Sequence, residues 1–260
     1  MGTAAAQGEL WSGNPRDWAT LQEPLFTPMY EAVLDSTGVG ANSRVLDVGC
    51  GAGLFCSLAA MRGATVAGLD AAEGMLTIAR ERSPSGDFRA GDMEELPFTP
   101  GSFDVVTGFN SFQFAADPIS ALRQAKRMAK QDGKVSMAVW GSAQACQAAA
   151  VVKAMATLLP PPPPGTPGPF ALSDPGVMEA MLSKAGLMPG DATDVDTPFD
   201  FADDDAAYRA FAASGPGILA IRKTGADKLR AVLLAALAPF KTASGSYHLD
   251  NKFRFVVARA

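Results

Sequence analysis

The run Asp47-Val48-Gly49-Cys50-Gly51-Ala52-Gly53 is the place in this chain where chemistry is most legible. Three glycines at alternate positions let a backbone loop approach a ligand closely. A dinucleotide fingerprint would place a further glycine at position 54, where its absence of a side chain brings a pyrophosphate onto the following helix. Leu54 stands there instead. Asp47 precedes the loop, and its carboxylate repels phosphate but suits a cation or an ammonium group. Asp70 follows Gly53 by 17 residues, the place where an acid can accept from both hydroxyls of a ribose. Each such bond to a charged acceptor contributes roughly 1.5–3 kcal/mol. Gly91-Asp92-Met93 adds an acid that can accept from an exocyclic amine and an apolar side chain that can pack on a flat ring. A ribose-bearing ligand without a pyrophosphate fits these features together.

Other reactive side chains are sparse. Cys50, Cys56 and Cys146 form no zinc-type spacing and the chain has one histidine, so no metal site is expected. Cys50 reads as a small side chain between loop glycines and Cys146 as packing in an Ala-rich helix. His248 has the ordinary pKa of a general base, but its setting before the terminal strand favours a surface or hydrogen-bonded role. No catalytic residue is assigned. Trp11, Trp18 and Tyr30 lie in an N-terminal segment rich in helix formers, with Trp18 as a lid residue.

The elements that must hold these residues alternate. Residues 44–48, 64–70, 87–90, 103–109 and 134–140 read as strands, and 54–62, 73–82 and 117–130 as helices, with Asp117-Pro118 a good helix start. Strand–helix alternation with short connections gives a doubly wound parallel sheet, whose ligands sit beyond the carboxyl ends of its strands. Ala143 to Leu159 reads as a helix that stops at Pro160. Seven of the 19 prolines fall in residues 160–169, a stiff connector or, less simply, a polyproline II ligand. Residues 174–184 read as a helix with Asp174 near its start. Seven aspartates lie between Asp191 and Asp205, and Asp203 and Asp204 suit the start of a helix near Ala206. Leu229, Val232, Leu233, Ala236, Leu237 and Phe240 make one apolar helical face. Lys252 to Val257 would close the sheet.

Composition sets outer bounds. The chain has 260 residues, 48% hydrophobic, and a net charge of −5. Such a surface is a poor partner for nucleic acid. No apolar run is long enough to span a membrane, and no secretory signal is apparent at the N-terminus. A cytoplasmic location is expected, with a monomer or homodimer as the assembly.

Asp47 to Gly53, Asp70, Gly91 to Phe98 and Ser102 to Val106 together resemble the class I S-adenosylmethionine-dependent methyltransferases, in particular the small-molecule branch that includes quinone and sterol methyltransferases. The likeness covers about residues 40–141. It implies a Rossmann-like sheet of seven strands, mostly parallel with the last antiparallel, plus helical lid insertions. It implies S-adenosyl-L-methionine as cofactor, with Gly49, Cys50, Gly51 and Gly53 near its methionine part and Asp70, Ala71 and Met75 near the ribose. Gly91, Asp92 and Met93 would hold the adenine, and Asn110 and Ser111 the methyl-donor pocket, under Trp18. The acceptor would be a small, partly apolar molecule lined by Phe112, Phe114, Trp140 and Phe170. Gln131-Asp132-Gly133-Lys134 replaces the Lys-Pro-Gly-Gly-like turn common in that family, and Asn110-Ser111-Phe112-Gln113 is not the motif of enzymes that methylate amino groups of bases. One domain is expected: a cap over 1–40, a cofactor core over 41–141, a lid insertion and helix over 142–190, and C-terminal strands over 191–260 with a helical insertion at 202–246. Two other readings stand open. A nicotinamide oxidoreductase is disfavoured by Leu54 and Asp47. A non-enzymatic module would bind the cofactor or scaffold partners through the prolines.

Overall fold

The computed structural model describes residues 2–161 and 168–260. Most of the proline run therefore lies outside the described residues; Pro160 and Pro161, at its start, are exposed. The strands are β1 Arg44–Val48, β2 Thr65–Asp70, β3 Asp87–Ala90, β4 Phe103–Phe109, β5 Ala129–Trp140, β6 Met188–Asp196, β7 Phe199–Phe201, β8 Tyr247–Leu249 and β9 Lys252–Arg259. The helices are α1 Ala4–Trp11, α2 Pro15–Asp17, α3 Thr27–Thr37, α4 Leu54–Met61, α5 Glu73–Arg82, α6 Pro118–Met128, α7 Ala148–Ala156, α8 Val177–Lys184, α9 Asp204–Ala212, α10 Gly215–Thr224 and α11 Ala226–Leu237. None of the described helices is long and apolar enough to cross a membrane.

Seven strands form one sheet in the order β3-β2-β1-β4-β5-β9-β6. β1 to β5 are mutually parallel, and β9 runs antiparallel between β5 and β6. The reversed last strand thus lies inside the sheet, not at its rim: Phe253 and Phe255 are buried on one face and Val256 and Ala258 on the other. The order reverses beside β1, so the crevice between the carboxyl ends of β1 and β4 is where such a sheet receives ligands. β1 is buried from Val45 to Val48, as a strand covered on both faces must be.

Three local readings change. β5 begins at Ala129, directly after α6, and the turn expected at residues 131–133 is an irregularity inside the strand with Asp132 at φ +61°. α7 begins at Ala148, not Ala143, because Asn251 Oδ1 accepts from the Ala148 N–H (2.9 Å) and fixes the start. α8 begins at Val177: Asp174 precedes a proline and is extended, as that position prefers. The β7–β8 pair forms a second, two-stranded sheet. Asp203 caps α9 through Asp205 N–H and Ala206 N–H, as its sequence position predicts.

Candidate active site

The glycine loop leaves β1 and turns into α4 with Gly49, Gly51 and Gly53 all at positive φ (76°, 53° and 79°). Only glycine takes this conformation cheaply. Close approach reinforces the requirement: a Cβ at Gly49 would collide with Ser111, and one at Gly53 would lie 2.7 Å from Ala79 Cβ. Asp70 closes β2 beneath this loop. Its Oδ2 accepts from Gly51 N–H and its Oδ1 from Ala72 N–H, both at 2.8 Å. A carboxylate oxygen has two lone pairs, so each still offers one to a hydroxyl. Burial raises the Asp70 pKa, and the backbone N–H groups of Ala72, Gly51 and Ala71 oppose the rise.

Asp47 is 2% exposed and accepts from Thr107 Oγ1 at 2.7 Å. Burial pushes its carboxyl up to about 7, reinforced by Asp70 and Glu23. It lies below the loop, strut and charge source at once. Cys50 is buried against Gly68, and burial raises its thiol well above the ordinary range, so it is no thiolate nucleophile. Met75 is buried under the loop with Ala52 and Ala72.

The N-terminal segment crosses the carboxyl ends of β2 to β4. Gly8 lies on the Ala71 carbonyl, Gly2 on the Asp92 carboxylate, and Thr3 Oγ1 donates to the Phe114 carbonyl. Asp92 also accepts from Glu94 N–H at 3.0 Å, and Gly91 sits against Leu69. Met93 is half-buried against the core between the sheet and α6. Asn110 takes φ +49°, an unusual backbone for a non-glycine residue. Asn110 Oδ1 and Ser111 Oγ are buried without a hydrogen-bond partner, at the turn facing the glycine loop.

The aromatic candidates fall into different places. Phe112 is fully buried in the core under β1 and β4. Phe114 meets Trp11, and Trp11 meets Trp18, with ring centres 6.0 and 4.9 Å apart. Trp18 adjoins Phe26 (5.9 Å), which adjoins Phe199 and Phe253; these two adjoin Trp140, and Trp140 adjoins Phe170 (5.7 Å). A continuous file of rings thus runs from the cap to the lid insertion. Phe26 and Phe199 were missing from the sequence reading, and Phe253 was read only as part of the terminal strand; the alternation in Phe199-Asp200-Phe201 was the signal available for Phe199. His248 is half-exposed on β8, with Nδ1 2.7 Å from Asp200 and Nε2 3.3 Å from Asp250. Asp200 beside it raises its pKa.

Residues 46–137 match the family model described as a methyltransferase domain. The matched segment runs from within β1 to within β5 and includes the loop that leaves β1. A ubiquinone biosynthesis O-methyltransferase from Xanthomonas euvesicatoria pv. vesicatoria is 37% identical over 154 residues, 56% of this chain and 63% of that protein. A demethylmenaquinone methyltransferase from Renibacterium salmoninarum is 39% identical over 106 residues, 41% of this chain and 45% of that protein. The chain spans about half the length of the curated relatives it matches. The YcgJ protein from Bacillus subtilis shares the fold, with a TM-score of 0.60, 21% identity and coverage of 88% of this chain and 97% of that one. Within the matched segment fall the glycine loop, Asp70, Asp92 and the Asn110-Ser111 turn. Trp18, Trp140 and Phe170 lie outside it.

Proposed function

We propose that this chain moves a methyl group from S-adenosyl-L-methionine to an oxygen of a small, partly apolar metabolite. One observation carries the reading: a three-glycine loop at positive φ lies beside a β2-terminal carboxylate that has one free lone pair on each oxygen. Two vicinal ribose hydroxyls match that pair. The residues fit the cofactor in charge as well. Buried Asp47 and half-buried Asp70 bring two carboxylates to the loop, with no arginine or lysine among the described residues bonded to either, and a sulfonium with an ammonium group would offset them. The bound sulfonium supplies an electrophilic methyl carbon.

The chain's own task is alignment and exclusion of water. Direct displacement needs donor carbon, leaving sulfur and acceptor in line, and orientation alone contributes up to roughly 7–11 kcal/mol. The file of rings from Trp18 to Phe170 supports an apolar, flat acceptor, and the quinone-related relatives support the same class. Trp140 and Phe170 would line it, backed by Phe199 and Phe253 in the core. Phe112 acts from the core beneath. His248, tied between two surface carboxylates, is left out of the reaction. The acidic surface fits a partner list without nucleic acid, and three free buried cysteines suit a reducing cytoplasm.

The test is methyl transfer from labelled S-adenosylmethionine to a panel of catechols, hydroquinones, aliphatic alcohols and amines. Labelled O-methyl product from a phenolic acceptor is expected. Transfer to none of them, with cofactor bound, would overturn the acceptor class.

A further inference from the structure

The N-terminus of α4 is where a dinucleotide-binding sheet would receive a phosphate. Here a side chain from a distant segment already holds that place. Glu23 is 2% exposed, and its Oε1 accepts from Leu54 N–H, the first residue of α4, at a long 3.4 Å. A Cβ on Gly51 would come within 3.4 Å of the same oxygen. The other oxygen, Oε2, is paired with Arg82, the last residue of α5. Arg82 also donates to the Ala52 carbonyl of the glycine loop (2.9 Å) and to the Ala19 carbonyl (2.6 Å). One guanidinium therefore fixes the carboxylate, the loop and the N-terminal segment together.

Local backbone helps deliver it. Trp18–Gln22 is a π-helical turn, wider than an α-turn and rare outside functional places. It brings Trp18 Nε1 to within 3.6 Å of a Gly51 Cβ position and leaves Gln22 Oε1 buried without a hydrogen-bond partner.

We infer that Glu23, held by Arg82, is a built-in anion that occupies the phosphate position of this fold and so selects a nucleoside without phosphate. Glu23 and Arg82 act through the loop, as positioning residues. The inference rests on the proposed cofactor, and it adds what Leu54 and the missing fourth glycine do not explain: rejection by like charge as well as by loop shape. A phosphate approaching α4 meets a carboxylate oxygen already seated at the Leu54 N–H, with Arg82 engaged on the other oxygen.

Calorimetric titration of the full chain with S-adenosylhomocysteine and with ADP tests this, using wild type, Glu23→Gln and Glu23→Ala. Wild type should bind the thioether nucleoside, and ADP only weakly. Each variant should bind ADP at least about tenfold better than wild type, the scale of removing one like charge in a dry site. S-adenosylhomocysteine should bind no better, so the preference between the two ligands narrows. Unchanged ADP affinity in a folded Glu23→Gln protein would overturn the inference, as would an equal fall for both ligands, the mark of a merely structural role. Failure of wild type to bind S-adenosylhomocysteine would instead sink the proposed cofactor. Because ADP gain is read as a ratio to wild type, the two failures are distinct.

Discussion

The two ends of the ligand crevice are made of opposite materials. At the β1–β2 end, backbone and buried charge dominate: three glycines at positive φ, Asp47 and Asp70 below them, and Glu23 with Arg82 beside them. At the β5–β9 end, Trp140, Phe199, Phe253 and Phe170 offer rings and few polar groups. Directional bonds fix one ligand in one pose. Stacked rings tolerate many flat ligands, because edge-to-face contacts add only about 0.5–1.5 kcal/mol beyond burial. Under the proposed function, the contrast would make recognition of the cofactor rigid and recognition of the acceptor adaptable.

Substitutions can break this contrast in order of expected effect. Asp70→Ala should weaken S-adenosylhomocysteine binding by roughly 10–100-fold, since two charge-assisted bonds and the Gly51 N–H partner go together. Calorimetry reads it, and an unchanged dissociation constant would mean the ribose is held elsewhere.

The charged end should also show itself in pH. Asp47 is pushed up to about 7 by burial. The native state then binds protons that the unfolded chain has released, so stability falls as pH rises from about 4 to about 7. A loss of about 1–2 kcal/mol across that window is expected for the ligand-free protein by denaturant titration. Asp47→Asn should flatten the slope. Stability rising with pH through that window would contradict it.

At the apolar end, Trp140→Ala should raise the acceptor KM about tenfold, from lost ring burial, and leave the cofactor dissociation constant within about twofold. A cofactor effect as large as the acceptor effect would erase the distinction between the ends. His248→Ala should be smallest, within about 0.5 kcal/mol of wild-type stability and with activity unaltered.

The sheet and the glycine loop were legible because they are local: alternating buried runs, a G-x-G-x-G turn and an Asp-Pro helix start each reside within a few residues. The Glu23–Arg82 pair was not. Its partners are 59 residues apart, and a lone Glu beside Pro24 looks like any solvated side chain. The π-turn at Trp18–Gln22 is likewise set by what packs on it, since Arg82 holds the Ala19 carbonyl. α7 was read five residues too early because its start is fixed by Asn251, over a hundred residues away. Among the ring residues, Trp140 was readable as a strand end, whereas Phe26 becomes part of the file only when the N-terminal segment folds over β9.

The central claim is that the loop after β1 and the acid ending β2 grip an adenosyl group that bears no diphosphate. A crystal structure of the S-adenosylhomocysteine complex measures this directly. Both ribose hydroxyls should lie about 2.5–3.0 Å from the Asp70 oxygens, with the sulfur beside Gly49 and Gly51. A nucleoside seated away from β2, or an Asp70 carboxylate that contacts no ribose, would contradict it.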